Sequence, residues 1–276
     1  MRLAFFVWEY PPVLVGGLGT YAENITRKFV ELKHDITVFT LNQGGDLPTR
    51  EVVGGVEVHR PMIANASNIF PLFVAEDLKR WGTNIKFFND VFIYNILSAT
   101  KLVNDLIRKE QYAFDIVSVH DWLSCMAGLI AKNETDMPLA FHAHSTEWGR
   151  SGNAGSEVVA HLERESADKA DRIVTVSDAM RLDLIRHGWA EGKISVVWNG
   201  VNPSVYNRAT CKEEETKQLR NQYGIEDDES MLLFIGRLTW AKGVRNLLQA
   251  LPSVLQNYPK TKLVILGKGE EQRDVT

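Results

Sequence analysis

Residues 3–24 read LAFFVWEYPPVLVGGLGTYAEN, an apolar run followed by a glycine loop and the start of a helical pattern. The run Leu3–Trp8 is rich in aliphatic and aromatic residues, as is typical of a buried strand. Behind it, Gly17, Gly19 and Ala22 have the spacing G-x-G-x-x-A of a dinucleotide-binding turn. The order of strand, glycine loop and helix predicts the first unit of an α/β fold.

The loop itself does not fit a dinucleotide site. In such a site the first glycine directly follows the strand, whereas Glu9–Val15 separate the strand from Gly16. An acidic residue is also required at the end of the second strand, but the predicted strand Ile36–Leu41 is followed by Asn42. Two interpretations remain: an anion site, in which backbone N–H groups and the helix dipole attract negative charge, or a tight turn that needs glycine only for its backbone.

Outward from this unit, short apolar runs alternate with amphipathic helical patterns. Nearly continuous apolar strands between helices indicate a doubly wound parallel sheet covered on both faces. The segment 69–108 is predicted to be mostly helical, and Val52–Arg60 to form a hairpin around two glycines. The further predicted strands are Phe114–His120, Pro138–His144, Ile173–Ser177 and Ile194–Trp198.

A second, smaller α/β region follows the connection Asn199–Cys211. Its strand Met231–Ile235, helix Val244–Asn257 and strand Lys262–Leu266 predict one βαβ unit. We therefore predict two domains, residues 1–203 and 204–276. Because two strands and a helix make an incomplete sheet, we expect a chain truncated at its C-terminal side, with an open strand edge that favours self-association into homo-oligomers.

The composition narrows the functional classes. The chain is 45% hydrophobic and 24% charged, with a net charge of −4 and no basic cluster, so a nucleic-acid partner is not expected. Cys125 and Cys211 are far apart and predict neither a disulfide nor a zinc site, which favours a cytoplasmic location. No apolar run approaches the roughly 20 residues of a membrane span. The aromatic-rich stretch Phe70–Asn95 is the candidate for a membrane-facing surface, although its spacing favours a packed helix pair.

Five segments, in this order, resemble a retaining glycosyltransferase of family 4, and in particular its glycogen- and starch-synthase-like members. They are EYPP…GGLGTYAENI (9–25), VHDWL (119–123), TVSDAM (175–180), WNGVN (198–202) and FIGRLTWAKGVRNLLQALP (234–252). The resemblance implies a GT-B fold, in which an N-terminal Rossmann-like domain binds mainly the acceptor and a C-terminal one binds the donor. It also implies transfer of a sugar, with glucose expected, from a nucleotide sugar such as UDP- or ADP-glucose to a glycan acceptor.

The resemblance further implies roles for the donor-side residues. His144 matches the family's active-site histidine beside the transferred sugar, where it would act by hydrogen bonding or electrostatics. Gly16 and Gly17 would face the donor diphosphate. Arg237 and Lys242, which follow a strand and precede a helix, would neutralise that diphosphate as it leaves. Fixed cations make a metal ion unnecessary for this step, and the sequence has no Asp-x-Asp motif, so neither a metal nor a cofactor is predicted.

On the acceptor side, the resemblance places His120 and Asp121 beside the acceptor, and Arg150 lies in a loop that could reach the same region. His142 is expected to point to the opposite face of its strand and to be structural.

Two departures from the pattern weaken the match to an ADP-glucose-dependent glycogen synthase. Such synthases have a lysine where this chain has Leu14, and a histidine where it has Leu123. The alternatives are a non-catalytic carbohydrate- or nucleotide-binding module and a family 4 transferase that acts on a lipid or small-molecule acceptor. Because the family's donor domain extends beyond the position of Thr276, we expect no turnover from this chain alone.

Overall fold

The computed structural model describes residues 1–66, 69, 85–152 and 155–274. The chain forms two compact units, Met1–Asn199 and Gly200–Thr276, and each is described by itself. The sequence-based division lies at residue 203. Most of the aromatic-rich stretch that was the candidate membrane-facing surface, residues 70–84, lies outside the described residues.

The first unit contains a central sheet to which eight strands contribute within the described residues. The strands are β1 (Arg2–Phe6), β2 (Asp35–Phe39), β3 (Arg50–Val53), β4 (Val56–His59), β5 (Ile116–His120), β6 (Leu139–Ala143), β7 (Arg172–Thr175) and β8 (Ile194–Val196). Their order across the sheet is β3-β4-β2-β1-β5-β6-β7-β8. Neighbouring strands are parallel except in the hairpin of β3 and β4.

Helices connect these strands. They are α1 (Gly17–Glu31), α2 (Ile85–Thr100), α3 (Cys125–Thr135), α4 (Glu147–Ser151), α5 (Glu157–Lys169) and α6 (Asp178–Arg186). Helix α2 continues into a π-helical segment, Lys101–Lys109. In the part of the chain that the structure describes, no helix is both long enough and apolar enough to span a bilayer.

Apolar side chains fill the space on both faces of the sheet. Side chains alternate along a strand, so Ala4 and Phe6 enter one buried cluster, whereas Phe5 and Val7 enter the other. This arrangement confirms the predicted α/β class with a mostly parallel sheet.

The order of the strands identifies the edge of the sheet at which a ligand is expected. From β1 the chain moves outward through β2 to the hairpin, and then returns to place β5 on the other side of β1. In open α/β sheets, ligands bind at the carboxyl ends of strands where the winding reverses in this way. A ligand is therefore expected at the ends of β1 and β5, and β5 ends at His120.

The second unit contains the predicted βαβ arrangement. Strands β9 and β10 are parallel, with Ser230 opposite Thr261 and Ile235 opposite Leu266. The elements of this unit are α7 (Glu213–Gln222), β9 (Ser230–Ile235), α8 (Val244–Asn257) and β10 (Thr261–Leu266).

Candidate functional site

Three histidines meet at the carboxyl ends of β5 and β6. The register pairs His120 with His142, and His144 lies one residue beyond the end of β6. His120 Nδ1 is 3.1 Å from His144 Nε2, and the rings of His120 and His142 have centroids 4.5 Å apart. The expectation that His142 points to the opposite face is therefore wrong, because residues two apart on a strand share a face.

Burial controls the ionisation of this cluster. The ring of His120 is fully buried and stacks on Phe5 at 4.1 Å. Loss of solvation, reinforced by the neighbouring histidines, lowers the pKa of His120 well below its usual range and that of His142 to about 3. Burial also lowers the pKa of His144, against the opposing effect of the Asp121 carboxylate. All three imidazoles are therefore neutral near pH 7.

Tyr21 of α1 covers the histidine cluster. Its ring centroid is 4.5 Å from that of His144, in an edge-on contact, and its hydroxyl lies 3.4 Å from His142 Nδ1. Burial raises the pKa of Tyr21 to about 12, so the hydroxyl remains protonated. Sequence reasoning did not single out Tyr21, because an aromatic residue on the apolar face of a helix is typical of core packing.

Asp121 positions the chain that follows β6. Its Oδ1 accepts hydrogen bonds from the backbone N–H groups of His144 and Ser145, at 2.8 and 3.1 Å. The residue itself has φ 54° and ψ 175°, a left-handed conformation that is unfavourable for a non-glycine residue. Asp121 thus fixes the position of His144 through its backbone.

This geometry changes how two predicted acceptor-binding residues can act. His120 has no exposed surface, so direct contact with an acceptor does not fit its position, and it can act only through His144. Asp121 is also buried, and its carboxylate is engaged with the backbone after β6. Contact of either residue with a glycan therefore stays a prediction. In this arrangement, both residues are buried and act on the site through His144.

Arg150 is held inside an ionic network. Its guanidinium donates to Ser145 Oγ at 2.6 Å and to carboxylate oxygens of Glu147 and Glu163, both at 3.0 Å. Glu163 is buried on α5, and burial raises its pKa to about 7 against the opposing effects of the Glu147 backbone N–H and Arg150. Arg150 therefore ties α4 to α5. The acceptor-binding role of Arg150 stays a prediction.

Sequence reasoning missed Glu163. The available signal was its position four residues after the buried Val159, on the face of α5 that points into the core.

The glycine loop precedes α1 in the same unit. Glu9 Oε2 accepts hydrogen bonds from the N–H groups of Val15 and Gly16, at 3.0 and 2.9 Å. A Cβ atom on Gly16 or Gly17 would meet no atom within 4 Å, whereas one on Gly19 would come within 2.7 Å of the Leu14 side chain. A side chain at position 19 would therefore require the exposed Leu14 side chain to move. Gly16 and Gly17 leave the backbone open to a ligand, although a carboxylate already engages the N–H of Gly16.

Arg237 and Lys242 lie in the second unit, in the turn between β9 and α8. Both side chains are exposed, and within the described residues neither forms an ion pair, in contrast to Arg245, which pairs with Glu271. Gly243, with φ 71°, follows Lys242 and is the N-cap residue of α8. Two unpaired cations at the carboxyl end of a parallel strand are suited to bind an anion.

Solved structures with the same fold define the class. The catalytic domain of starch synthase IV from Arabidopsis thaliana, bound to ADP and acarbose, matches with a TM-score of 0.70 and 17% identity over 99% of this chain and 70% of that chain. The HepE protein of Anabaena in complex with UDP-glucose matches with a TM-score of 0.66 and 17% identity, over 99% of this chain and 63% of that chain. The fold is thus that of GT-B glycosyltransferases.

Sequence comparison gives the family. Residues 15–205 match the model of Glycosyltransferase Family 4, and residues 215–275 match that of Glycosyl transferases group 1. The chain therefore belongs to glycosyltransferase family 4, which confirms the predicted membership in a hexosyltransferase family.

Two relatives align along nearly the whole chain. An uncharacterized glycosyltransferase of Methanocaldococcus jannaschii is 31% identical over 277 residues, which cover 98% of this chain and 64% of the relative. The glycogen synthase of Mycobacterium tuberculosis is 28% identical over 284 residues, which cover 99% of this chain and 63% of the relative. The chain thus spans slightly less than two thirds of the length of these relatives.

Proposed function

We propose that the protein transfers a hexose, with glucose expected, from a nucleoside diphosphate sugar to a glycan acceptor with retention of configuration. The observation that carries this proposal is the position of His144. Its backbone is bound by Asp121, its ring contacts His120 and Tyr21, and it lies at the sheet edge where α/β proteins bind ligands. The similarity to a glycogen synthase supports an α-glucan as the acceptor.

The proposed chemistry makes use of a neutral His144. Because burial disfavours the imidazolium form, His144 would hydrogen-bond the transferred sugar rather than contribute a full positive charge. As the nucleoside diphosphate departs it gains negative charge, and preorganised cations stabilise such a transition state strongly. The exposed side chains of Arg237 and Lys242 are our candidates for that role.

Calorimetric titration tests the proposal with the chain as it stands. We expect binding of maltoheptaose, and binding of UDP-glucose or ADP-glucose together with the corresponding nucleoside diphosphate. Incubation of donor and maltoheptaose then separates the functional classes. A lengthened oligosaccharide supports transfer and overrides the expectation that this chain is inactive alone. Binding of both ligands without transfer agrees with the expectation that this chain is inactive alone. Binding of the glycan without the nucleotide sugar supports the binding-module alternative, and a chain that binds neither ligand contradicts the proposal.

The His144→Ala variant isolates the role of this residue. If His144 hydrogen-bonds the transferred sugar, the affinity for the bound nucleotide sugar falls about tenfold, whereas the affinity for the free nucleoside diphosphate is unchanged. His161→Ala is the matched control, because His161 is exposed on α5. Equal losses for nucleotide sugar and free diphosphate would argue against a sugar contact.

A further inference from the structure

The three clustered histidines have a geometry that sugar transfer does not require. One ligand nitrogen from each of His120, His142 and His144 can be chosen so that all three lie within 4.8 Å of one another. His120 Nδ1 and His144 Nε2 are already 3.1 Å apart. Two nitrogens bound to the same tetrahedral zinc ion, with bonds of about 2.0–2.1 Å, are separated by about 3.3 Å. The pair therefore has nearly the separation that a shared ion demands.

A neighbouring hydroxyl prepares His120 as a ligand. Ser118 Oγ lies 3.1 Å from His120 Nε2. If Nε2 carries the proton and donates it to Ser118, the lone pair of Nδ1 points toward His144. Metal-bound histidines characteristically donate their second ring N–H to an oxygen in this way, which fixes the tautomer and the ring orientation.

A metal site also needs an entry path for the ion from solvent. His142 and His144 are only half-buried, so the cluster can be reached from solvent. The carboxylate of Asp121 is bound to the backbone after β6 and holds His144 in place.

We propose that His120, His142 and His144 bind a single transition-metal ion of the zinc type. The fourth coordination position would be filled by water or by a ligand in the crevice. The site shares His144 with the proposed transfer chemistry, for which no metal is predicted. One consequence rests on the proposed function: an ion bound to His144 Nε2 would withdraw that nitrogen from the sugar and inhibit transfer.

Titration with Co²⁺ and Zn²⁺ tests the site independently of any sugar chemistry. The visible absorption of Co²⁺ reports three imidazole ligands, and competition of Zn²⁺ with a chromophoric chelator gives its affinity. We expect one ion per chain. His142→Phe, which keeps a ring against His120, removes this binding, and Ser118→Ala weakens it roughly 10–100-fold through the lost orienting contact.

Two controls keep the result interpretable. His161→Ala, on the exposed surface of α5, should bind the ion as the unchanged chain does, and thermal unfolding shows whether each variant is folded. The proposal is overturned if the chain binds no ion, if folded His142→Phe binds it with unchanged affinity, or if His161→Ala loses it. Since none of these measurements involves a donor or an acceptor, failure of the metal site leaves the proposed function standing, and the reverse also holds.

Discussion

At the scale of single residues, the site depends on side chains whose polar atoms are almost fully used within the protein. Arg150 and Asp121 form hydrogen bonds with the segment after β6, and a ring nitrogen of His120 contacts one of His144. The N–H of Gly16 meets the carboxylate of Glu9. In the described part of the first unit, the half-buried ring of His144 and the open surface at Gly17 are accessible to a ligand. Substitutions at the first group should affect stability, and those at the second should affect binding.

Gly17 provides such a test. Because a Cβ atom there would meet no atom within 4 Å, Gly17→Ala should leave the free energy of unfolding unchanged or raise it by up to about 1 kcal/mol. If the donor diphosphate approaches this backbone, the same methyl group lowers the affinity for the nucleotide sugar at least about tenfold in calorimetry. Gly128→Ala is the opposite control: its Cβ would overlap Val119 and Leu139, so we expect a loss of roughly 1–3 kcal/mol in stability. Unchanged affinity in Gly17→Ala would contradict the donor role.

Glu163 predicts a specific pH dependence of stability. Its pKa in the folded protein is about 7, raised from 4.5, so between these values the folded state binds more protons than the unfolded state. The contribution of Glu163 to the free energy of unfolding is therefore fully present below about pH 4.5. It decreases as the pH rises toward 7, by on the order of 3 kcal/mol. Urea unfolding of the unchanged chain and of Glu163→Gln measures the difference. The stability of the unchanged chain relative to the variant should fall across this interval, and a rise would show that Arg150 keeps the carboxylate ionised.

At the scale of elements, the connection after β5 stores backbone strain to orient the one after β6. Asp121→Ala removes the acceptor for two N–H groups and keeps a side chain at positive φ, so we expect a loss on the order of 3 kcal/mol in urea unfolding. Asp121→Gly removes the same acceptor but relieves the strained φ, so it should be about 1 kcal/mol more stable than the alanine variant. Equal stabilities of the two variants would mean that the left-handed conformation is not strained.

The turn between β9 and α8 carries its own prediction. Arg237 and Lys242 are exposed and unpaired in the described structure, so replacing both with alanine should change the stability by no more than about 0.5 kcal/mol. If they bind the diphosphate, the affinity for UDP or ADP falls roughly 10–100-fold. Lys217→Ala, an exposed lysine on α7, is the control and should bind nucleotide normally. Unchanged nucleotide affinity in the double variant would remove these residues from the donor site.

At the scale of the whole molecule, the second unit exposes an apolar surface. Met231, Leu233 and Ile235 alternate along β9 and are 40%, 51% and 66% exposed, and the sheet of this unit has two strands within the described residues. Exposed apolar strands of this kind promote association between chains.

Sedimentation velocity tests this association. We expect the sedimentation coefficient of the 276-residue chain to rise with concentration, and the double variant Leu233→Lys/Ile235→Lys to remain monomeric at the same concentrations. Val52→Lys is the control, because Val52 is 71% exposed on β3 in the first unit and its change should leave the association intact. A chain that is monomeric at all concentrations would contradict the prediction.

Much of the architecture could be predicted because the apolar pattern of each strand depends on which of its faces are buried. Strands that are apolar on both faces are stable only when both faces are covered, and strands that alternate with helices are joined by parallel crossovers. The runs Phe114–His120 and Pro138–His144 are therefore predicted as strands of a parallel sheet from the sequence alone. The two histidines at positions 142 and 144 carried enough information to be placed on one face, since the period of a strand is two.

The sequence by itself thus determined the α/β class, the βαβ unit of residues 231–266 and the family of the chain, because periodicity, strand ends and collinear motifs are local properties. Only the tertiary structure decided that β5 lies beside β1 and β6, that Tyr21 covers the three histidines, and that Glu163 meets Arg150. Each of these contacts joins residues from different elements. Their meeting depends on the order of strands in the sheet and the rotation of helices above it, which are set by the packing of the whole unit.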